Sequence, residues 1–328
     1  MRIAVTGSIA TDHLLTYPGR FSEQLIADRL AEVSLSFLAD ELEIRRGGVA
    51  ANIAFGLGRL GLAPALVGAA GRDFADYRQV LEENGVDTAP VHISSSRHTA
   101  RFVCTTDADH NQIATFYAGA MAEAREIDLA PIARQRGGLD LVVVAPNDPD
   151  AMVRHTQECR TLGIDFAADP SQQLARLDGE QARQLVDGAR WLFTNQYESA
   201  LLRERTGASE EELLGRVGAW VTTLGAQGVV ISRAGKPPLR VPAVGTADEV
   251  EPTGVGDAFR AGFLAGVAWQ WPLERAAQLG CAMATVVLES VGTQEYKLSA
   301  ADLLTRLEQA YGPQAARDIE PRLREAGL

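Results

Sequence analysis

Short apolar runs alternate with helix-patterned segments through most of this chain, and that rhythm restricts the fold more than any other feature. Ile3–Val5, Ala65–Val67, Leu141–Val144, Phe166–Ala168, Trp191–Phe193 and Val221–Thr223 read as strands buried on both faces. Between them, Ala50–Leu60, Ala75–Glu83, Asp150–Leu162, Glu180–Val186 and Tyr197–Glu204 read as helices, and beyond Val267 the pattern becomes mainly helical. Such alternation predicts an α/β fold: a doubly wound, mainly parallel sheet flanked by helices. Ligands of open sheets of this kind gather beyond the carboxyl ends of the strands.

Two stretches break the rhythm. Residues 13–45 and 97–118 carry alternating strand patterns without helices between them, and together they predict a small β-sheet projecting from the main body as a lid. In the second stretch, Asp107 to Asn111 form a polar turn between Thr99–Thr106 and Gln112–Ala118. A hairpin symmetric about Asp109 sets Phe102 opposite Phe116. With no internal repeat and no low-complexity linker, a single domain over 1–328 is expected.

The composition is that of a soluble globular protein, 46% hydrophobic and 23% charged over 328 residues. A net charge of −12 argues against nucleic acid or an anionic membrane as the main partner. Lysine occurs only at positions 236 and 297, which disfavours Schiff-base chemistry. Cys104, Cys159 and Cys281 are far apart and apolar-flanked, as buried free thiols in a reducing compartment would be. The N-terminus runs directly into a strand pattern, and no apolar run reaches membrane-spanning length, so a cytoplasmic location is expected.

The chemistry-bearing run is Glu251-Pro-Thr-Gly-Val-Gly-Asp-Ala-Phe-Arg260. Gly254 and Gly256 permit a tight turn and close approach of a ligand to the backbone. A helix pattern from Ala258 to Val267 follows, so this turn aims free N–H groups and a positive dipole end at whatever occupies it. An anion suits that place, and Asp257 beside it would be costly unless it takes a proton, for example from a hydroxyl attacking phosphorus. An Asp near a helix start also acts as an ordinary cap, and that reading stays open at this point.

Other groups fall at strand ends. Asn195 and Glu198 open a helix at a spacing that suits water held around Mg²⁺, and suits a capping box equally well. Thr222-Thr-Leu-Gly-Ala-Gln-Gly228 fits a loop lying on phosphates or a simple β-turn. Ser8 and Asp12 follow the first strand, while Gly47-Gly48 precedes a helix containing Asn52; short polar groups of this kind suit a polyhydroxylated ligand. No GxxxxGK[ST], GxSxG or HExxH motif occurs, the five histidines have no CxxC beside them, and Gly7-Ser-Ile-Ala10 lacks the glycine spacing of a dinucleotide fold.

Taken in order, Gly47-Gly48 to Asn52 near the front and Thr253-Gly-Val-Gly-Asp257 near the back resemble the ribokinase (PfkB) family of sugar and nucleoside kinases, across essentially the whole chain. Within it, the opening Ile3 to His13, the run Ser34-Leu-Ser-Phe-Leu38 and Asp169-Pro-Ser-Gln-Gln-Leu-Ala-Arg176 are similar to the adenosine kinases of actinobacteria. The resemblance implies ATP-dependent phosphorylation of the ribose 5′-hydroxyl of adenosine. Asp257 would be the base, and the Gly254, Val255 and Gly256 amides the anion hole. Ser8, Asp12, Ser36, Gly48 and Asn52 would hold the ribose, with Phe102, Phe116, Gln172 and Gln173 around the base. It further implies Arg176 at the phosphates, Asn195, Thr223, Gly225 and Gly228 on ATP, and Glu198 organising Mg²⁺.

One residue departs from the family pattern. Glu251 stands where an Asp is usual, near a monovalent-cation site, so K⁺ is carried only as an expectation at this position. The resemblance also implies a homodimer through the lid. Kinases of another nucleoside or of a free sugar such as ribose or fructose, and a non-catalytic ligand-binding protein, are the competing readings.

Overall fold

The computed structural model describes residues 1–24, 34–246 and 248–328. Its main sheet has the strand order Lys236–Val241, Val229–Arg233, Ala219–Thr223, Trp191–Asn195, Asp165–Ala168, Leu141–Val144, Ile3–Thr6, Ala65–Val67. The last six are parallel to their neighbours, and they are the six apolar runs of the sequence. The other two form an antiparallel hairpin at one edge.

Buried on both faces, these strands divide their side chains between two cores with a period of two. Ile3, Val5, Leu141, Val143, Trp191, Phe193 and Val221 point into one core, roofed by helices that include Val49–Arg59, Val255–Ala268 and Leu273–Leu288. Ala4, Val142, Val144, Phe166, Leu192 and Trp220 point into the other, under Pro149–Leu162, Gly179–Val186 and Gln196–Thr206. Helix ends follow local chemistry. Asp148 accepts a hydrogen bond from the Ala151 N–H and Pro149 fills the first turn, while Gly163 closes the helix in the left-handed region at φ 65°.

The second sheet has the order Glu41–Gly47, Ala10–Thr16, Ala100–Thr106, Gln112–Tyr117. Its central pair is parallel and both outer pairs are antiparallel. Phe102 pairs with Phe116 as the hairpin symmetry requires. The turn is organised by Asp107: Oδ1 accepts from the N–H groups of Asp109 and Asn111, and Oδ2 from that of Phe21 at 2.9 Å. The stretch 13–45 differs from expectation in two respects: residues 34–40 form no strand, and a helical turn stands at Phe21–Gln24, where Tyr17, Phe21 and Phe37 cluster with ring centroids 4.9–5.8 Å apart. Residues 25–33 of that stretch lie outside the described residues. Among the described residues no helix is long and apolar enough to cross a membrane, and Cys104, Cys159 and Cys281 are free and buried.

The helix Val255–Ala268 is set by its contact with Leu273–Leu288, where glycines meet. A Cβ on Gly262 would come within 2.9 Å of the Cα and N of Gly280, both backbone atoms that cannot swing aside. Alanine at a mid-helix position normally gains about 0.5–1 kcal/mol over glycine. Here the overlap outweighs that gain, and Gly262→Ala is expected to lose about 1–3 kcal/mol of stability, read as a lower urea midpoint at unchanged slope.

Candidate active site

Between Ile3–Thr6 and Leu141–Val144 the winding of the sheet reverses: the chain first adds Ala65–Val67 on one side, then builds outward on the other. A cavity of about 670 Å³ opens beyond the carboxyl ends of the strands there, the place expected for an open α/β sheet. It is lined by Ser8, Asp12, Gly48, Asn52, Phe102, Phe116, Gln172, Gln173, Arg176, Gly254 and Asp257, which come from five separated stretches of sequence. Both sheets contribute, because the first strand runs through Gly7-Ser8-Ile9 into Ala10–Thr16 of the small sheet.

Gly48 makes this crossing possible. It sits at φ 96°, and a Cβ on it would lie 2.6 Å from the Ser8 carbonyl oxygen and 2.7 Å from the Ala10 nitrogen. The Ser8 hydroxyl in turn accepts a hydrogen bond from the Val49 N–H at 3.0 Å, capping the helix that carries Asn52. Asp12 faces the same cavity. Burial and the neighbouring Glu251 carboxylate push its pKa up to about 6, against the pull of Arg45.

Asp257 stands in the first turn of Val255–Ala268, whose leading N–H groups lack acceptors within the helix. Gly254 caps that helix at φ 78°. Asn52 Nδ2 donates to Asp257 Oδ2 at 2.9 Å, a contact spanning 205 residues of sequence. The amide of Asn52 is fixed from behind: Gln294 Nε2 donates to its Oδ1 at 2.8 Å, and the same nitrogen donates to the Tyr77 hydroxyl, which donates to the Gly47 carbonyl. Burial pushes the Asp257 carboxyl up to about 6, with Arg260 and the Asn52 hydrogen bond opposing and Glu198 adding to the rise. Such a carboxylate is ionised at neutral pH and basic enough to take a proton from a hydroxyl held beside it.

On the other side of the same helix start lies a second cavity of about 480 Å³. Thr223, Gly225, Ala226 and Gly228 form one wall, and Pro252, Val255, Phe259, Ala284 and Leu288 another. The turn expected at Thr222–Gly228 is a short 3₁₀ helix, Gly225–Gln227, with Gly225 and Gly228 at φ 57° and 89°.

Four expected site residues line neither cavity, and one of them, Gly256, lies between Val255 and Asp257 in the first turn of its helix, where a Cβ would meet Arg260 Nη1. Ser36 is exposed in the coil before Glu41–Gly47 and lines neither cavity. Asn195 and Glu198 also line neither; they close a reciprocal capping box, with Asn195 Oδ1 accepting from the Glu198 N–H at 2.8 Å and Glu198 Oε2 from the Asn195 N–H at 2.7 Å. Among the described residues no three metal-ligating side chains cluster. A single carboxylate still fits the Mg²⁺ of a nucleotide, which keeps several waters and takes most of its remaining ligands from phosphate. Glu198 Oε1, engaged among the described residues by one 3.4 Å contact from the Ser171 hydroxyl, is the oxygen that could do so.

Glu251 does not fit a monovalent-cation ligand. Its Oε2 accepts from Arg45 Nη1 at 2.6 Å and from the Gly292 N–H at 3.0 Å, so a resident guanidinium already answers its charge.

Sequence reasoning passed over Arg45, Gln294 and Arg260. The first two act through partners more than 200 residues away, and nothing local marks them. Arg260 did carry a signal, its place three residues beyond Asp257.

Known proteins agree with this architecture. The sequence profile of the pfkB family of carbohydrate kinases matches residues 3–300, and the chain belongs to that family. It is similar to a nucleoside kinase of Methanothermobacter thermautotrophicus, 29% identical over 87% of this chain and 92% of that protein. It superposes on the nucleoside kinase of Burkholderia thailandensis in complex with inosine with a TM-score of 0.81 and 32% identity, covering 94% of this chain and 98% of the other. The Methanocaldococcus jannaschii nucleoside kinase gives 0.83 at 25% identity, covering 94% and 99%.

The raised Asp257 pKa has a stability consequence. An acid whose folded pKa lies above its unfolded value costs nothing below the unfolded value, near 3.8, and its full penalty above the folded one, about 6. Replacing Asp257 by Asn is therefore expected to become more favourable to stability, by about 2 kcal/mol, between pH 4 and pH 8. Urea denaturation of both proteins at the two pH values measures it, and an unchanged difference would contradict the burial of an ionised carboxylate.

Proposed function

We propose that this protein is an ATP-dependent nucleoside kinase that phosphorylates the ribose 5′-hydroxyl, with adenosine as preferred acceptor. One observation supports this above the rest: two cavities of different character meet at the amino end of Val255–Ala268, and Asp257 faces the one lined by hydroxyl-binding side chains. In the transfer, the 5′-oxygen forms a bond to the γ-phosphorus while the bond from phosphorus to the β,γ-bridging oxygen breaks. The hydroxyl proton passes to Asp257, and ADP leaves with the electron pair. The amides at Gly254, Val255 and Gly256 supply fixed donors where charge develops, and Arg176 at the cavity wall suits phosphate oxygens. Mg²⁺ bound through Glu198 and water would neutralise the phosphates.

Ser8, Asp12, Gly48 and Asn52 surround the ribose in this reading, and Phe102, Phe116, Gln172 and Gln173 the base. Thr223, Gly225 and Gly228 hold the nucleotide, with Asn195 at its margin and Ser36 reaching the sugar only if its coil moves inward. The four-stranded sheet covers the acceptor cavity as a lid, and closure would exclude water that otherwise hydrolyses ATP. Nucleoside specificity draws support from the named relatives, and adenosine from the runs Ser34–Leu38 and Asp169–Arg176.

The deciding experiment is a panel of adenosine, inosine, cytidine, ribose and fructose with Mg·ATP, read by ADP release. Adenosine is expected to show the highest kcat/KM, with an acidic limb near pH 6, and Asp257→Asn to lose about 10²–10⁴ in rate. Phe102→Ala is expected to raise KM for the nucleoside about tenfold through lost stacking. Turnover of free ribose above adenosine, or an unchanged KM, would overturn the nucleoside assignment.

A homodimer through the lid belongs to the same reading. Leu42 and Ile44 on one outer strand and Ile113 on the other are 57%, 58% and 47% exposed, apolar surface of the kind a second copy would cover. Sedimentation is expected to give a dimer at micromolar concentration, and Ile44→Glu with Leu42→Glu a monomer. A wild-type monomer would remove the dimer.

A further inference from the structure

Arg260 follows Asp257 by three residues on one helix, so the two side chains leave the same face one turn apart. The arginine is 7% exposed, and its guanidinium folds back toward the helix start: a Cβ on Gly256 would lie 2.7 Å from Arg260 Nη1. Nη2 donates to Asp169 Oδ1 at 2.6 Å, and Asp169, just past the carboxyl end of Asp165–Ala168, is wholly buried. The ring of Phe193 packs against the guanidinium at 5.7 Å.

Stability alone explains this pair poorly. A buried ion pair seldom outperforms apolar side chains of the same volume, since desolvation offsets the attraction. This one is also incompletely satisfied: Arg260 Nε and Asp169 Oδ2 are buried without a hydrogen-bond partner among the described residues. What the pair does place is a fixed positive charge beside Gly256 and Asp257, in a site where Glu198 and Asp169 contribute negative charge. Asn52 contributes a neutral hydrogen bond, and Arg176, Asp12 and the Glu251–Arg45 pair line the cavity further out.

We propose that Arg260, anchored by Asp169, is a positioning residue that keeps Asp257 in its proton-accepting form and sets its charge behind the amides that receive the transferring phosphoryl group. The inference rests on the kinase reading of this site. Asp169 has a distinct part in it. Released from Asp169, the guanidinium could turn onto Asp257 directly and occupy the oxygen meant for the hydroxyl proton. With Asp169 holding Nη2 and Asn52 holding Asp257 Oδ2, Oδ1 of Asp257 remains for that proton. As the 5′-oxygen bonds to phosphorus and its proton moves to Oδ1, negative charge leaves Asp257 and appears on departing ADP. Arg260, folded back against Gly256, keeps its positive charge beside the Asp257 end of that shift.

The test uses R260Q/D169N, which removes both charges while keeping a neutral hydrogen bond, together with R260K and D169N. Two readouts are needed: carboxyl ¹³C NMR titration of Asp257 in the ligand-free protein, and the pH profile of kcat/KM. In R260Q/D169N the Asp257 titration and the acidic limb are both expected to rise, by less than the ~1–3 pH units that one neighbouring cation supplies, because loss of the Asp169 charge works the other way. R260K should restore most of the shift, and D169N alone should move the titration the opposite way while lowering kcat. A folded double variant with both readouts unmoved would overturn the inference. A shifted titration in a protein that phosphorylates no nucleoside would uphold Arg260's hold on Asp257 and overturn the substrate reading alone.

Discussion

A carboxylate at the positive end of a helix, drawn out of water and still ionised, is the constraint around which this structure is arranged. Burial pushes the Asp257 carboxyl up, and two interactions oppose it: the Arg260 guanidinium and the Asn52 amide. Each must be held in place to be effective, since a mobile donor would turn to water or to another acceptor. Gln294 and Tyr77 therefore stand behind Asn52, and Asp169 behind Arg260. The balance leaves a carboxyl that titrates near 6, at a net cost in folding energy recovered only through function.

The same polar chain joins the two sheets. Gly47 and Gly48 end a strand of the small sheet and start a helix of the large one, and Tyr77 holds the Gly47 carbonyl. A few residues earlier, Arg45 reaches across to Glu251, which also receives the Gly292 N–H. The loop leading into the glycine turn is thus tied to the outer strand of the small sheet by a half-buried ion pair. The pair links the small sheet to the segment that precedes Gly254.

Much of this was legible in the sequence, for identifiable reasons. Strands buried on both faces leave continuous apolar runs, so all six parallel strands were visible, and the Phe102–Phe116 pairing followed from the symmetry of one polar turn. The edge strand Lys236–Val241 was not, because Pro237 and Pro238 erase the strand pattern while remaining tolerable where one side of the ladder is open. The turn at Phe21–Gln24 is too short to show a helical period. In the site, Gly254 and Asp257 were readable since turn, helix start and acid are contiguous. Their partners were not: Asn52 to Gln294 and Arg45 to Glu251 span more than 200 residues, a distance over which local pattern carries no information. Asn195 and Glu198 form the capping box that their spacing allowed, and that spacing alone does not separate a cap from a metal site.

The two cavities differ in how they recognise what enters them. The acceptor side presents side chains from five separated segments, so its selectivity resides in groups that substitution can exchange one at a time without disturbing the backbone. The opposite side presents a glycine turn and an apolar wall, which leave main-chain groups and shape as its means of discrimination. In the proposed reaction, the glycine turn and Asp257 between them would serve the bond that is made and broken. On that reading the transfer chemistry lies in backbone geometry at Gly254, and the choice of alcohol in side chains that substitution can exchange.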